Sequence, residues 1–334
     1  MNVDRPVLVN EKAPTALFLF AASHLIQAAE DPVAQQLFMA AEQQANVFHH
    51  NASPFELNID FFVQMNVPAG GHLTLKWESD NRWWRKIVMG EFQQTDIRNG
   101  DKLYISRNLG FTPVRIRELP SLLQFAQHSD ELQVNKAKHR VDHGVEMTCL
   151  HVERKNARDG AHELCVNSAS LEILSDEWKV APDGKRRQQY SDYFEFRGHR
   201  YPRKLELFEN GIKAITANVN SLATASLDKA LLVPPKGAIE RRQCSDMKYA
   251  APVKTPDPIY PKSASENRLM GDTVVSMTVL ADGSVGNIQL IGSATHSMDE
   301  ATLQTFKSWK FKPATCGAEP VVSDIEVVVS FRLQ

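Results

Sequence analysis

Apolar and polar side chains alternate with a period of two through most of the chain from Phe55 to Glu209. Gly and Asn turns interrupt the alternation at short intervals, which limits this region to an antiparallel β architecture. Phe55-Glu56-Leu57-Asn58-Ile59-Asp60-Phe61 alternates. Gly70-Gly71 turns the chain into His72-Leu73-Thr74-Leu75-Lys76-Trp77-Glu78, and Asn81-Arg82 turns it again into Trp83-Trp84-Arg85-Lys86-Ile87-Val88-Met89. The pattern returns over 101–106, around Cys149 and Cys165, over 190–196, and over 203–209 before Asn210-Gly211. Two helices interrupt it. One is expected over 31–48, where Leu37, Ala41 and Ala45 recur at a spacing of four, and one over 119–127.

The last part of the chain, 257–334, has a different grammar. Residues 272–280 alternate, Ala281-Asp282-Gly283-Ser284 supplies a hairpin turn, and 285–291 alternate again. Ser297-Met298-Asp299-Glu300 has the form of a capping box. It opens a helix expected to run to about Phe311, with Phe306 and Trp309 on one face, and Pro313 stops it. After Gly317-Ala318-Glu319-Pro320 a final strand sets Ile325, Val327, Val329 and Phe331 on an apolar face against Glu326, Ser330 and Arg332. The expected fold class is therefore α+β: a mostly antiparallel β domain, then a small module with a three-stranded antiparallel sheet.

These residues carry a resemblance. Tyr260-Pro261, Gly271 before a strand, Asp282-Gly283, the run Trp309-Lys310-Phe311-Lys312-Pro313-Ala314, then Gly317, Pro320-Val321 and a terminal Phe331 are similar to the C-terminal domain family of TonB, the energy transducer of bacterial envelopes. The family implies a periplasmic module whose exposed strand edge pairs with an extended segment of an envelope protein. An edge strand offers N–H and C=O groups that an added strand satisfies. The residues expected to carry that docking are Ile325, Val327, Val328, Val329 and Phe331, with Tyr260, Pro261, Gly271, Asp282, Gly283, Trp309, Phe311 and Pro313 as structural motif positions. An inner strand, or one paired in a homodimer, fits the same alternation.

The region 30–243 is similar to LolA-like lipoprotein carriers in its leading helix and meander, in the stretch from Tyr190 to Gly198, in Tyr201-Pro202-Arg203 and Glu209-Asn210-Gly211, and in the late Pro234-Pro235-Lys236-Gly237-Ala238. That family implies a half-barrel holding lipid acyl chains against an apolar concavity, which Trp77, Trp83 and Trp84 would border. The alternative is a sheet whose aromatics, Phe55, Phe61, Trp77, Trp83, Trp84 and Phe92, fill its own core.

The apolar stretch 13–29 is short for a spanning helix and ends in small residues. It reads as a signal peptide, 1–29, cleaved near Ala28 or Ala29; an uncleaved anchor is the alternative and the one route to membrane association. Four cysteines, Cys149, Cys165, Cys244 and Cys316, suit an exported chain and allow three pairings. Cys149 and Cys165 flank the turn-rich 155–160, so they would face each other on adjacent strands. Cys244 precedes the terminal module and Cys316 lies in its helix-to-strand loop, so that pair would clamp the linker 244–256. Four buried thiols are the bland alternative.

Net charge is −2, with basic residues scattered along 334 residues, which argues against nucleic-acid binding. Catalytic signals are weak. His139 and His143 stand four apart near His151 and His162 without a matching Glu, and His49-His50 reads as a loop. Neither a nucleophile elbow nor a phosphate loop occurs, so no enzyme, metal or cofactor is expected. The expected function is a non-catalytic TonB-family protein of the periplasm, docking partners through its terminal module and with a role in transmembrane transport. The runners-up are a periplasmic lipid or lipoprotein carrier and an inner-membrane-anchored energy transducer. The transducer requires a long Pro-rich spacer, and the cluster Pro252, Pro256, Pro258, Pro261 is far too short for one.

Overall fold

The computed structural model describes residues 31–65, 68–109, 112–125, 132–142, 144–154, 161–180, 184–242, 244 and 247–333. The expected signal peptide, His143 and Gln334 lie outside the described residues. Among the described residues no helix is long and apolar enough to cross a membrane. The chain divides into two compact units. One takes its described residues from 31–97 and 115–233, the other from 98–114 and 234–333.

The larger unit opens with α1 (Pro32–Ala45), whose N-terminus is capped by Asp31 accepting from the amides of Val33 and Ala34, both at 3.1 Å. The strands are β1 (Phe55–Val63), β2 (Ala69–Ser79), β3 (Arg82–Met89) and β4 (Phe92–Asn99), then β6 (Leu132–Asp142), β7 (Val145–Arg154), β8 (His162–Asn167), β9 (Ile173–Val180), β10 (Gly184–Phe196), β11 (His199–Glu209) and β12 (Ile212–Thr224). Between β4 and β6 in sequence come β5 (Lys102–Arg107), which belongs to the other unit, and α2 (Val114–Leu123). Within this unit the order is β4-β3-β2-β1-β12-β11-β10-β9-β8-β7-β6. Strands adjacent in sequence are adjacent in space, except where β1 meets β12. The sheet is open, and β6 stands at its end.

Local chemistry explains the hairpins. Asn210 and Gly211 both take positive φ, 50° and 79°, as the tight turn between β11 and β12 requires. On β1 the period-two pattern buries Phe55, Leu57, Ile59, Phe61 and Val63, and α1 lays Ala34, Phe38, Ala41 and Ala45 into the same core. Burying a side chain such as Phe38 contributes about 2–3 kcal/mol. Trp77 is buried in the sheet's own core rather than bordering an open apolar concavity. This side chain is 1% exposed, stacked on Phe55 at 5.1 Å and met edge-on by Phe48 at 6.1 Å. Trp83, its cross-strand neighbour, packs on the same cluster.

The second helix, expected over 119–127, instead occupies α2, because its Ile116, Leu119, Leu122 and Leu123 supply the buried stripe. Charge fixes its position. Arg115 pairs with Glu118 at 2.9 Å and Glu209 at 2.5 Å, and Arg186 pairs with the same two carboxylates. Burial would raise the Glu209 carboxyl, but the hydrogen bond and charge of Arg115 outweigh it and hold it below the usual value. Tyr201 donates to the Leu123 carbonyl at 2.8 Å, and burial drives its hydroxyl pKa upward. Cys149 and Cys165, direct partners across β7 and β8, form a disulfide.

In the smaller unit β5 pairs antiparallel with β13 (Ile239–Arg242). Next come β14 (Ala251–Lys254), α3 (Lys262–Glu266), β15 (Gly271–Val279), β16 (Val285–Gly292), α4 (His296–Phe306), β17 (Lys310–Lys312), β18 (Ala314–Cys316), β19 (Glu319–Val321) and β20 (Ser323–Phe331). The three-stranded sheet has the order β16-β15-β20; β14 pairs with β17 and β18 with β19.

The expected helix to Phe311 is corrected. It ends at Phe306, and Phe311 lies on a strand. Thr302 and Thr305 turn their hydroxyls back onto the carbonyls of Met298 and Ala301, which weakens helix continuation, while 310–312 are recruited into the ladder with β14. The cap is corrected too. Thr295, not Ser297, accepts from the Met298 amide, and Glu300 is exposed beside His296.

Candidate protein-docking site

Nine consecutive residue pairs join β15 to β20, from Gly271 with Phe331 to Val279 with Ser323, without a register shift. Alternation divides the side chains. Thr273, Val275, Met277 and Val279 of β15 and Val327, Val329 and Phe331 of β20 are buried. All of these except Thr273 meet Met298 and Phe306 of α4, Trp309, Phe311, Tyr260 and Ala264 in one cluster. Ile325 is partly buried against it. Val328, 46% exposed, points the other way, as do Asp324 and Glu326. Of the five residues expected to dock a partner, then, Val327, Val329 and Phe331 belong to the core. What β20 can offer outward is its backbone and the Val328 side chain.

The motif residues build the platform behind that strand. Tyr260 donates to the Leu269 carbonyl, and its ring meets Phe331 edge-on at 5.4 Å. Pro261 is the N-cap of α3 and Gly271 begins β15. Trp309 is fully buried; it lies 3.9 Å from the Phe306 ring, and its Nε1 donates to the Pro256 carbonyl at 3.0 Å. Asp282 closes the hairpin by accepting from the Ser284 hydroxyl and amide, which holds its carboxyl below the usual value. Gly283 is obligatory. Its φ is 78°, a Cβ there would come within 2.0 Å of the Phe311 carbonyl oxygen, and the Phe311 amide donates to Gly283 at 2.9 Å. Pro313 separates β17 from β18.

Four charged residues essential to this geometry have no local signature in the sequence. Asp299 is 5% exposed and accepts from Thr273 Oγ1, Ser293 Oγ and the Ala294 amide, which satisfies its burial. Arg241 reaches Asp324 of β20 at 3.0 Å, while Thr278 of β15 donates to the same carboxylate at 2.6 Å. Arg242 bridges Asp101 at 3.0 Å and Glu319, and these hydrogen bonds raise its pKa, Glu319 contributing most. A disulfide joins Cys244 to Cys316. The segment preceding the module is therefore tied to β18, β19 and β20.

The sheet has two ends, and they differ. Along β16 the register with β15 shifts twice, and Asn287 takes a φ of 48°. Such irregularities hinder further pairing. Along β20 the backbone is regular for nine residues, and among the described residues β15 is its one strand neighbour.

Residues 256–333 match the model of the family described as the Gram-negative bacterial TonB protein C-terminal. The match covers the terminal module, about a quarter of the chain, and in that segment the chain is similar to this family. Protein TonB of Pseudomonas aeruginosa is 28% identical over 91 residues, 27% of this chain and 26% of that protein. Protein TonB of Vibrio cholerae is 30% identical over 78 residues, 23% of this chain and 32% of that protein. The chain thus spans about a quarter to a third of the length of these relatives. Among solved structures, a LolA superfamily protein from Nitrosomonas europaea is similar at a TM-score of 0.44 and 10% identity, covering 60% of this chain and 97% of that one.

Among the described residues the histidines weighed as weak metal-ligand candidates do not gather. His139 is exposed on β6, His151 pairs with Glu153, and His162 pairs with Asp176 while stacking on Trp178. Among the described residues one group of three metal-ligating side chains occurs, Cys149, Glu163 and Cys165, and its cysteines are joined in a disulfide.

Proposed function

We propose that this chain is a non-catalytic protein of the bacterial periplasm whose TonB C-terminal domain docks an extended segment of an envelope protein by strand addition along β20, in support of transport across the outer membrane. The observation that supports this most is the contrast between the regular outer edge of β20 and the broken edge of β16. An added strand would satisfy the outward backbone groups of β20 and meet Val328 at its centre. The two disulfides suit an oxidising compartment. A lipid-carrier role finds less support, because the apolar face beside Trp77 is occupied by Phe48 and Phe55.

A photoreactive residue at Val328, and another at Asn287 on β16, tests the docking edge in intact cells. The expected result is a discrete protein adduct from position 328 and none from 287. Val328→Pro should abolish partner binding, since proline lacks the amide and resists strand pairing, with circular dichroism as the folding control. Equal crosslinking from both edges, or a folded Val328→Pro variant that binds unchanged, would falsify strand addition at β20.

A further inference from the structure

In the larger unit, the loop after α1 and the turn between β10 and β11 border a half-open cleft of about 210 Å³ lined by Val47, His49, Asn51, Phe196, Arg197 and His199. The His49 and His199 rings lie 4.9 Å apart, centroid to centroid, with their planes tilted by 37°. Nδ1 of His199 sits 3.1 Å from the Gln43 carbonyl oxygen. A carbonyl only accepts, so that nitrogen carries the proton, and in the neutral ring Nε2 is then the one with a lone pair. Histidines that bind metals are oriented in this way, by donating the other ring N–H to a backbone carbonyl.

The spacing fits one shared ion. Two imidazoles bound to a single zinc, each with a Zn–N distance of about 2.0 Å, place their ring centroids about 5 Å apart. Asn51 adds an amide oxygen to the wall, and a water needs about 30 Å³, so the cavity has room for solvent to complete a tetrahedron. Among the described residues no carboxylate lines it, which disfavours calcium and magnesium, and imidazole selects zinc, nickel or copper instead. Arg197 does not close the site: its guanidinium donates to the Ser53 carbonyl at 2.7 Å and to Thr224 at 2.5 Å, and it lies over the Phe196 ring at 5.0 Å. Its charge nevertheless weakens cation binding, so a micromolar rather than nanomolar affinity is expected.

We propose that His49 and His199, assisted by Asn51, form a binding site for a divalent transition-metal ion of the zinc class. Calorimetric titration of the full chain with Zn²⁺ alone at pH 7.5 tests this. One ion per chain should bind, with affinity at least tenfold weaker in His49→Ala and in His199→Ala and unchanged in His296→Ala, which removes an exposed imidazole in the module. His199→Gln, which retains a polar side chain, serves if His199→Ala does not fold. Zn²⁺ should also raise the melting temperature of the wild type and not that of either cavity variant. Absence of saturable binding, or wild-type affinity in both cavity variants, means an adventitious ion only and overturns the proposal.

Discussion

The two sheets end in strands that are treated in opposite ways. At β6 the first turn of α1 closes the start of the open edge: the Asp31 amide donates to the Val134 carbonyl at 3.2 Å, and the Gln35 side chain accepts from the Val134 amide at 2.8 Å. The same side chain donates to the Leu132 carbonyl at 3.5 Å, so Gln35 imitates a passing strand. The rest of β6 exposes Lys136, Lys138, His139 and Arg140, charges of the kind that discourage edge-to-edge pairing. At β20 the middle of the strand presents Val328. One edge is defended by shape and charge. The other is acidic at its start, where Asp324 is pinned by Arg241, and regular throughout, with Val328 exposed between Glu326 and Ser330. An open edge is a liability in a monomer unless it is used, and that difference makes β20 the place to look for a partner.

The largest expected effects come from the disulfides, which belong to different units. Cys244 and Cys316 are 72 residues apart, and Cys149 and Cys165 are 16 apart. Loop-closure entropy gives about 4 kcal/mol for the first bridge and about 3 kcal/mol for the second. Paired Ser substitutions measured by urea unfolding should reproduce that order. A greater loss from the cross-strand pair would mean that this bridge also holds the packing of β7 on β8, and that chain entropy is the wrong basis for comparing the units.

What the sequence made legible follows from where the signals are local. Strands such as β1, β2 and β3 are long enough for period two to show, and Asn210-Gly211 and Asp282-Gly283 need positive φ at fixed positions. The module was readable because its turn residues and aromatics fall at fixed offsets. Strands of three or four residues, such as β13, β14, β17, β18 and β19, are too short for any period. Phe306 and Trp309 have helical spacing, so the run to Phe311 looked continuous; the competing pull came from β14, more than fifty residues earlier in the chain. Arg241 and Asp324 are 83 residues apart, and His49 meets His199 across the whole sheet meander, so neither pairing has a local mark.

Gln35→Ala sharpens the contrast between the edges. Removing the side chain leaves the Val134 amide without its acceptor, which should lower stability by about 1 kcal/mol. Sedimentation velocity then asks whether an uncovered β6 self-associates. If the lysines alone suffice as a defence, the variant stays monomeric while losing stability. If it associates, α1 is the true cover.

The smallest expected effect is a difference in pH response between the units. His49 has a pKa lowered from 6.5, chiefly by burial and then by His199. A histidine with a depressed folded pKa binds fewer protons folded than unfolded, so its contribution is fully present above pH 6.5 and is lost as pH falls through the folded value. In the module the shifted carboxyl is Asp282, lowered from 3.8 by Ser284, and its contribution persists to a more acid range before it too is lost. Melting curves recorded with a chelator, to keep metal out of the comparison, should therefore show the larger unit weakening first as pH falls below 6.5. His49→Asn should flatten that slope. His199→Ala should reduce it only in part, because burial of His49 remains when the neighbouring charge is gone. Complete loss of the slope in His199→Ala would reverse the ranking and make the facing imidazole, rather than burial, the cause of the His49 shift.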